Sequence, residues 1–349
     1  MMRNKAVFWM LLLVAILTSV SCNSRKSGGD KIELVVVSYP GEAQTPYRKY
    51  LSDPFEKMHP NVSVRLVPSE SEDVVAQIKA ARGASPYDVI TLGAPRQIMA
   101  VQEGWVEQTP RSDLPNLKDV YPKFITACRD NGIPETYSLI GLAYNPDRVP
   151  PPVSWTDLWK PEYKRKLGLT TPASNLGFAL VVMTAKLFGG SEDNMAPAWS
   201  KLKELGPFVV APSPESLAQL FERDEVAIAP LWNNDAAILA LHGLKIKFVQ
   251  PKPGAIVVVS CMDVVKNSAQ AKLAREFLND EISVGFQSHL VQAPWYFGPT
   301  NQNVSIPASS SSYIPSTPQD LENSVLLDWP TAIKHRAEVT EQFDREFSR

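Results

Sequence analysis

The chain has 349 residues, 44% of them apolar and 21% charged, with a formal net charge of -2. That length suits about two ordinary soluble domains. The near-neutral balance advertises no basic face and argues against a nucleic-acid binder.

Arg3 and Lys5 precede an apolar run over residues 6–17 and the small residues Thr18, Ser19 and Ser21. This basic, apolar, small order is that of a secretory signal over 1–21, with an apolar run short for a membrane span. Ser19-Val20-Ser21-Cys22 resembles the lipobox of bacterial lipoproteins, which implies a lipid on Cys22; Ser19 departs from the aliphatic residue usual there. Residues 22–30 then form a polar, glycine- and serine-rich tether.

Residues 32–37, IELVVV, suit a buried strand of a parallel sheet, ending at Ser38-Tyr39-Pro40-Gly41. A helix over 47–58 sets Tyr47, Tyr50, Leu51, Phe55 and Met58 on one side. Val62, Val64 and Leu66 alternate as a second strand. A helix over 73–82 stops at Gly83, and 87–92 forms a third strand. This β-α-β-α-β order predicts an open α/β sheet, in which ligands bind beyond the carboxyl ends of strands. Ser38, Tyr39, Gly93 and Ala94 are therefore candidate contacts, although Pro40-Gly41 also fits an ordinary turn and Gly93 a helix start.

After a helix over 97–103, a strand over 137–144 leads into 141–163, which we read as the first passage through a hinge. Pro150, Pro151 and Pro152 keep this arm extended, and Ser154 offers an N-cap to a short helix bearing Trp155 and Trp159. A strand over 167–170 precedes Thr171-Pro172-Ala173-Ser174-Asn175 and a helix over 177–188. That helix N-terminus would present free N–H groups to an anion, making Thr171, Ser174 and Asn175 candidates; capping by Ser174 explains the same residues. A helix over 195–205, a strand over 208–211, a helix over 214–223 capped by Ser213 and a strand over 226–231 follow. Further strands cover 246–249 and 255–260, and helices 269–279 and 282–290. A last helix over 330–347 docks on the body.

With Cys22 assigned to lipid, Cys128 and Cys261 remain, as a disulfide or as two buried thiols. The four histidines are scattered, and no C-x-x-C or H-E-x-x-H pattern occurs, so no metal site is expected. No P-loop, G-x-G-x-x-G or G-x-S-x-G occurs either, so neither a cofactor nor an enzyme is expected.

From Gly141 onward the segments GLAYNPDRV, SWTDLWKPEYKRKLGL, GGSED, VAIAPLWNNDA, KIKFVQPKPGAI, LAREFLND and YFGPTN occur in order. Together they resemble the extracellular solute-binding proteins of ABC importers, in the group of spermidine/putrescine-, ferric-ion-, thiamine- and phosphonate-type binders. The resemblance implies an α/β, two-lobed, periplasmic-binding-protein-like (type II) fold with a hinge crossed more than once, closing on one small ligand. Lobe 1 would hold 31–136 and about 262–315, and lobe 2 would hold 137–261, with 316–349 assigned to neither. It further implies a monomer in the periplasm or at the cell surface, attached to the membrane only through lipid, that serves a membrane permease. A sensory lipoprotein is the alternative.

The resemblance also places an aromatic wall at Trp232, with Asn233 and Asp235 beside it, another aromatic at Trp295 and Tyr296, and a return-strand contact at Ser260. Asp235 equally suits a helix cap and Trp232 the core. Where polyamine binders carry acids on the helix-opening loop this chain has Pro172 and Asn175; in the return strand it has Val258 and Ser260. No Tyr-Tyr pair is present for ferric ion. The expectation is a neutral or anionic organic ligand, such as a phosphonate, phosphate ester or carboxylate, with polyamine, thiamine or ferric-ion binding as alternatives.

Overall fold

The computed structural model describes residues 31–41, 44–82, 85–315 and 317–347. The expected signal segment, Cys22, the tether and Gly83 lie outside them.

The apolar run forms strand β1 (Ile32–Ser38), buried from Leu34 onward. It pairs in parallel with β2 (Val62–Pro68) and β3 (Val89–Gly93). Its side chains alternate between two cores: Leu34 and Val36 pack with Phe55 and Phe277, and Val35 and Val37 with Val74 and Ile90. That two-sided burial is why the strand is apolar throughout rather than alternating. The helix between β1 and β2 runs through a wide turn, Tyr47–Ser52, into Asp53–Met58. Met58, expected on its packed side, is exposed.

Strand β4 (Ile133–Tyr144) is twelve residues long and starts earlier than its sequence suggests. Pro134 cannot donate to a ladder, which hides the strand from a residue count; a register shift between Pro134 and Thr136 accommodates it. The second lobe adds the parallel pair β5 (Gly168–Thr170) and β6 (Val209–Ala211), then β7 (Ile228–Trp232) and β8 (Lys247–Val249). Strand β9 (Ile256–Val264) runs antiparallel to β4, from Ile133 opposite Met262 to Ile140 opposite Ile256. One end of β9 pairs with β3, and the far end of β4 pairs with β7 and β8. β4 and β9 therefore pass side by side from the partners of one lobe to those of the other. Two short strands complete the sheet: β10 (Gly298–Pro299) on β4 and β11 (Val325–Leu326) on β9.

Strand β4 pairs with β7 as far as Tyr144, and the arm after it packs through Val149 in the same cluster as Tyr144. Asn145 N donates to the Ala227 carbonyl at 2.8 Å. Ser154 forms a capping box with Asp157, and Trp155 Nε1 donates to the Gly254 carbonyl at 2.9 Å. Val304, Tyr313 and Ile314 pack with the same cluster, Tyr313 facing Phe248.

The expected terminal helix is broken into Trp329–Ala332, a tight turn Ile333–His335, and Arg336–Phe347, which packs on the second lobe through Val339 and Phe343. Of the two readings left open for the cysteines, the structure takes the disulfide: Cys128 and Cys261 are bonded, with Cα atoms 5.7 Å apart. Among the described residues no helix is long and apolar enough to cross a membrane.

Candidate functional site in the interlobe cleft

A cavity of about 640 Å³ lies between the lobes. Its walls come mainly from the turns that follow strands. β1 delivers Tyr39, β2 delivers Glu70 and Ser71, and β3 ends in Gly93. From the second lobe β5 leads to Ser174 and Asn175, β6 to Ser213 and Glu215, and β7 to Trp232, Asn234 and Asp235. The crossing strands contribute Ser138, Val258 and Ser260, and the segment before β10 adds Trp295 and Phe297.

Eight of the residues singled out in the sequence thus share this wall: Tyr39, Gly93, Ser174, Asn175, Trp232, Asp235, Ser260 and Trp295. Ser260 Oγ donates to Tyr39 Oη at 3.3 Å, and burial followed by the nearby Glu135 raises the Tyr39 pKa, keeping the phenol neutral. At Gly93 an added Cβ would come within 2.9 Å of Asn175 Nδ2, so the missing side chain lets the lobes meet here. The Ser174 hydroxyl accepts from Gly177 N at 3.1 Å and donates to the Thr171 carbonyl at 3.0 Å, so capping occupies it.

The other five stand elsewhere. Ser38 is buried, and its hydroxyl accepts from Gln44 Nε2 at 2.7 Å. Ala94 packs in the core and Thr171 lies outside the wall. Asn233 is buried with both ends of its amide in use: Oδ1 accepts from Leu139 N at 2.7 Å, and Nδ2 donates to the Tyr296 carbonyl at 2.8 Å. Tyr296 itself is buried against Tyr313.

The wall carries Glu70, Glu72, Glu215 and Asp235 and no lysine, arginine or histidine. Glu72 is compensated by Arg96 at 3.1 Å and Arg336 at 3.8 Å. For Glu70, Glu215 and Asp235 no ion pair is formed among the described residues. Glu70 keeps an exposed edge, but desolvation by the surrounding cleft, followed by Glu215, Glu72 and Asp73, pushes its pKa up to about 7. Asp235 is likewise pushed up to about 7, by burial and then by Glu215 and Glu70. Each of these three acids sits in or just before the first turn of a helix, where the dipole favours a carboxylate; for Glu70 and Asp235 desolvation outweighs it. Beside them, Asn234 Nδ2 donates to Asp235 Oδ1 at 3.3 Å, which leaves Asn234 Oδ1 buried without a partner. Among the described residues no three such side chains converge to hold a metal ion. The acids are spread along the cavity, among the hydroxyl and amide groups of Tyr39, Ser138, Asn175 and Ser260.

Glu70 and Glu215 escaped the sequence reading, as did Arg336. The signal for the two acids was there: both follow the carboxyl end of a strand, by the same rule that singled out Tyr39.

The family model described as bacterial extracellular solute-binding protein matches residues 51–308. The spermidine/putrescine-binding periplasmic protein of Escherichia coli (strain K12) is 27% identical over 217 residues, 60% of this chain and 62% of that protein. The chain thus matches under two thirds of that relative's length. Among solved structures, a putative extracellular solute-binding protein from Bordetella parapertussis superposes with a TM-score of 0.76 and 25% identity, covering 90% of this chain and 98% of that one. An ABC transporter structure from Clostridium perfringens has the same TM-score at 22% identity, with 90% and 99% covered, and shares the fold.

Proposed function

We propose, because the chain belongs to the bacterial extracellular solute-binding protein family, that it captures a small organic amine between its lobes and hands it to the permease of an ABC importer. The observation that carries this reading is the set of acceptors without cations on the wall: Glu70, Glu215, Asp235 and the orphan carbonyl of Asn234. A desolvated ammonium needs such acceptors to offset lost hydration, and Trp232 and Trp295 add faces that attract cations. Acids that do not converge on one point suit an elongated organic cation better than a compact metal ion. The name of the Escherichia coli relative supports the same ligand class.

On this reading the receptor performs no catalysis and acts as a monomer in the periplasm or at the cell surface, held by a lipid on Cys22. The lobes are taken as 31–136 with the segment from 262 to about 303, and 137–261 with the remainder.

The test is a calorimetric and thermal-shift panel on the mature protein, with putrescine, spermidine, 4-aminobutyrate, citrate and a simple phosphonate. Amines should raise the melting temperature by mass action. A protein that binds citrate or the phosphonate and ignores every amine would sink the reading.

A further inference from the structure

We propose that Arg336 is a positioning residue that sets ligand preference: it turns Asn175 into a hydrogen-bond donor facing the cavity, so that the preferred ligand joins an ammonium group to a carboxylate or carbonyl acceptor. The inference rests on the amine reading above and sharpens it.

Arg336 opens the helix that packs on the second lobe, and it is only 7% exposed. Its guanidinium lies 5.0 Å from the Phe178 ring centre. Nη1 donates to Asn175 Oδ1 at 2.8 Å and Nη2 to the Ala173 carbonyl at 2.6 Å. A guanidinium has no acceptor, so the Asn175 oxygen must face it and the amide nitrogen must point the other way. Nδ2 indeed lies over Gly93, on the cavity wall, and no described residue accepts from it. Asn175 thus offers the cleft a donor, where an unconstrained amide could offer either end.

The charges reinforce that polarity. Arg336 and Arg96 both reach Glu72 at the edge of the cleft. Burial, then Arg96, lowers the Arg336 pKa to about 9, which leaves it charged at neutral pH. The charges that act on Glu70 and Asp235 are all acidic, with neither arginine among them. The cavity therefore holds an acidic region for an ammonium and a separate donor region beside two guanidinium groups. The helix Asn175–Leu187 turns the positive end of its dipole toward the same region. A plain diamine would leave the Asn175 donor unpaired and place its second ammonium near like charge.

Putrescine, 4-aminobutyrate and N-acetylputrescine share one amine and differ at the other end, so titration of the mature protein with each isolates that end. At least one of the two acceptor-bearing amines should bind about tenfold or more tightly than putrescine, as expected for a hydrogen bond involving a charged group. Arg336→Ala should bring that ratio close to one, whereas Arg336→Lys, which keeps a donor for Asn175 Oδ1, should retain most of it. If Arg336→Ala does not fold, Asn175→Asp decides: an acceptor in that place should move the preference toward putrescine. Equal or tighter putrescine binding by the unaltered protein overturns the inference while leaving the amine reading intact, and so does a ratio that Asn175→Asp leaves unchanged. Failure of all amines overturns the amine reading and this inference with it.

Discussion

Asn233 grips the backbone of Leu139 where β4 passes between the lobes, accepting from its N–H at 2.7 Å. The other end of the same amide donates to the Tyr296 carbonyl at 2.8 Å, so one side chain ties the crossing strand to the segment before β10. Asn233→Ala would leave a buried N–H and a buried carbonyl unpaired, a loss of about 2–4 kcal/mol. Urea denaturation should show that loss, whereas Trp232→Ala should weaken ligand binding with a smaller change in stability. A stable Asn233→Ala protein that has lost only its affinity would make Asn233 a ligand contact after all.

The Cys128–Cys261 bond closes a loop across a sequence separation of 133 residues and fastens a helix end to β9. Replacing both cysteines by alanine should lower stability by about 2–5 kcal/mol. The denaturation midpoint of the unaltered protein should fall in reductant. An unchanged midpoint would show that the two sulfurs do not cross-link the protein.

Glu70 and Asp235 hold their protons up to about pH 7 in the empty cleft. An ammonium group favours their ionised forms, so binding should expel protons and strengthen as pH rises through 7. The slope should approach tenfold per pH unit for each proton released. Calorimetry in two buffers of different ionisation enthalpy measures the release directly, and Glu70→Gln should reduce it. Affinity that stays flat between pH 6 and 8 would contradict this picture.

The empty protein should show the opposite trend in stability. A carboxyl whose pKa is higher folded than unfolded binds its proton more tightly when folded. Its contribution is therefore complete below the unfolded value, near 4, and is lost as pH rises through the folded one. Glu70 and Asp235 at about 7 and Asp263 at about 6 all behave this way. The ligand-free melting temperature should be higher at pH 5.5 than at pH 8.5. Saturating amine should shrink the difference, and a melting temperature that climbs with pH in the empty protein would refute the assignment.

Much of the frame was legible because burial and capping leave local traces. The unbroken apolar run of β1 reports a strand covered on both faces, and Ser154, Ser174 and Ser213 cap the helices they precede. The cleft was harder to read. Asn233 and Asp235 stand two residues apart after the same strand, yet one is consumed by backbone groups and the other faces the cavity. Helical geometry separates them, and composition does not. Glu70 and Glu215 look like solvated acids in the first turn of a helix, and both do stay exposed; only the fold brings them to one cavity wall with Asp235. Arg336 gave no local sign, since Asn175 and Glu72, its partners, lie far away in the chain.

The breadth of that wall in chain order has a consequence for assembly. Tyr39 follows the first strand, while the Arg336 that orients Asn175 opens the last described helix. Residues 39–93 and 138–260 supply all of that wall except Trp295 and Phe297, so both faces of the pocket are synthesised before the helix whose Arg336 bonds to Asn175 and the Ala173 carbonyl.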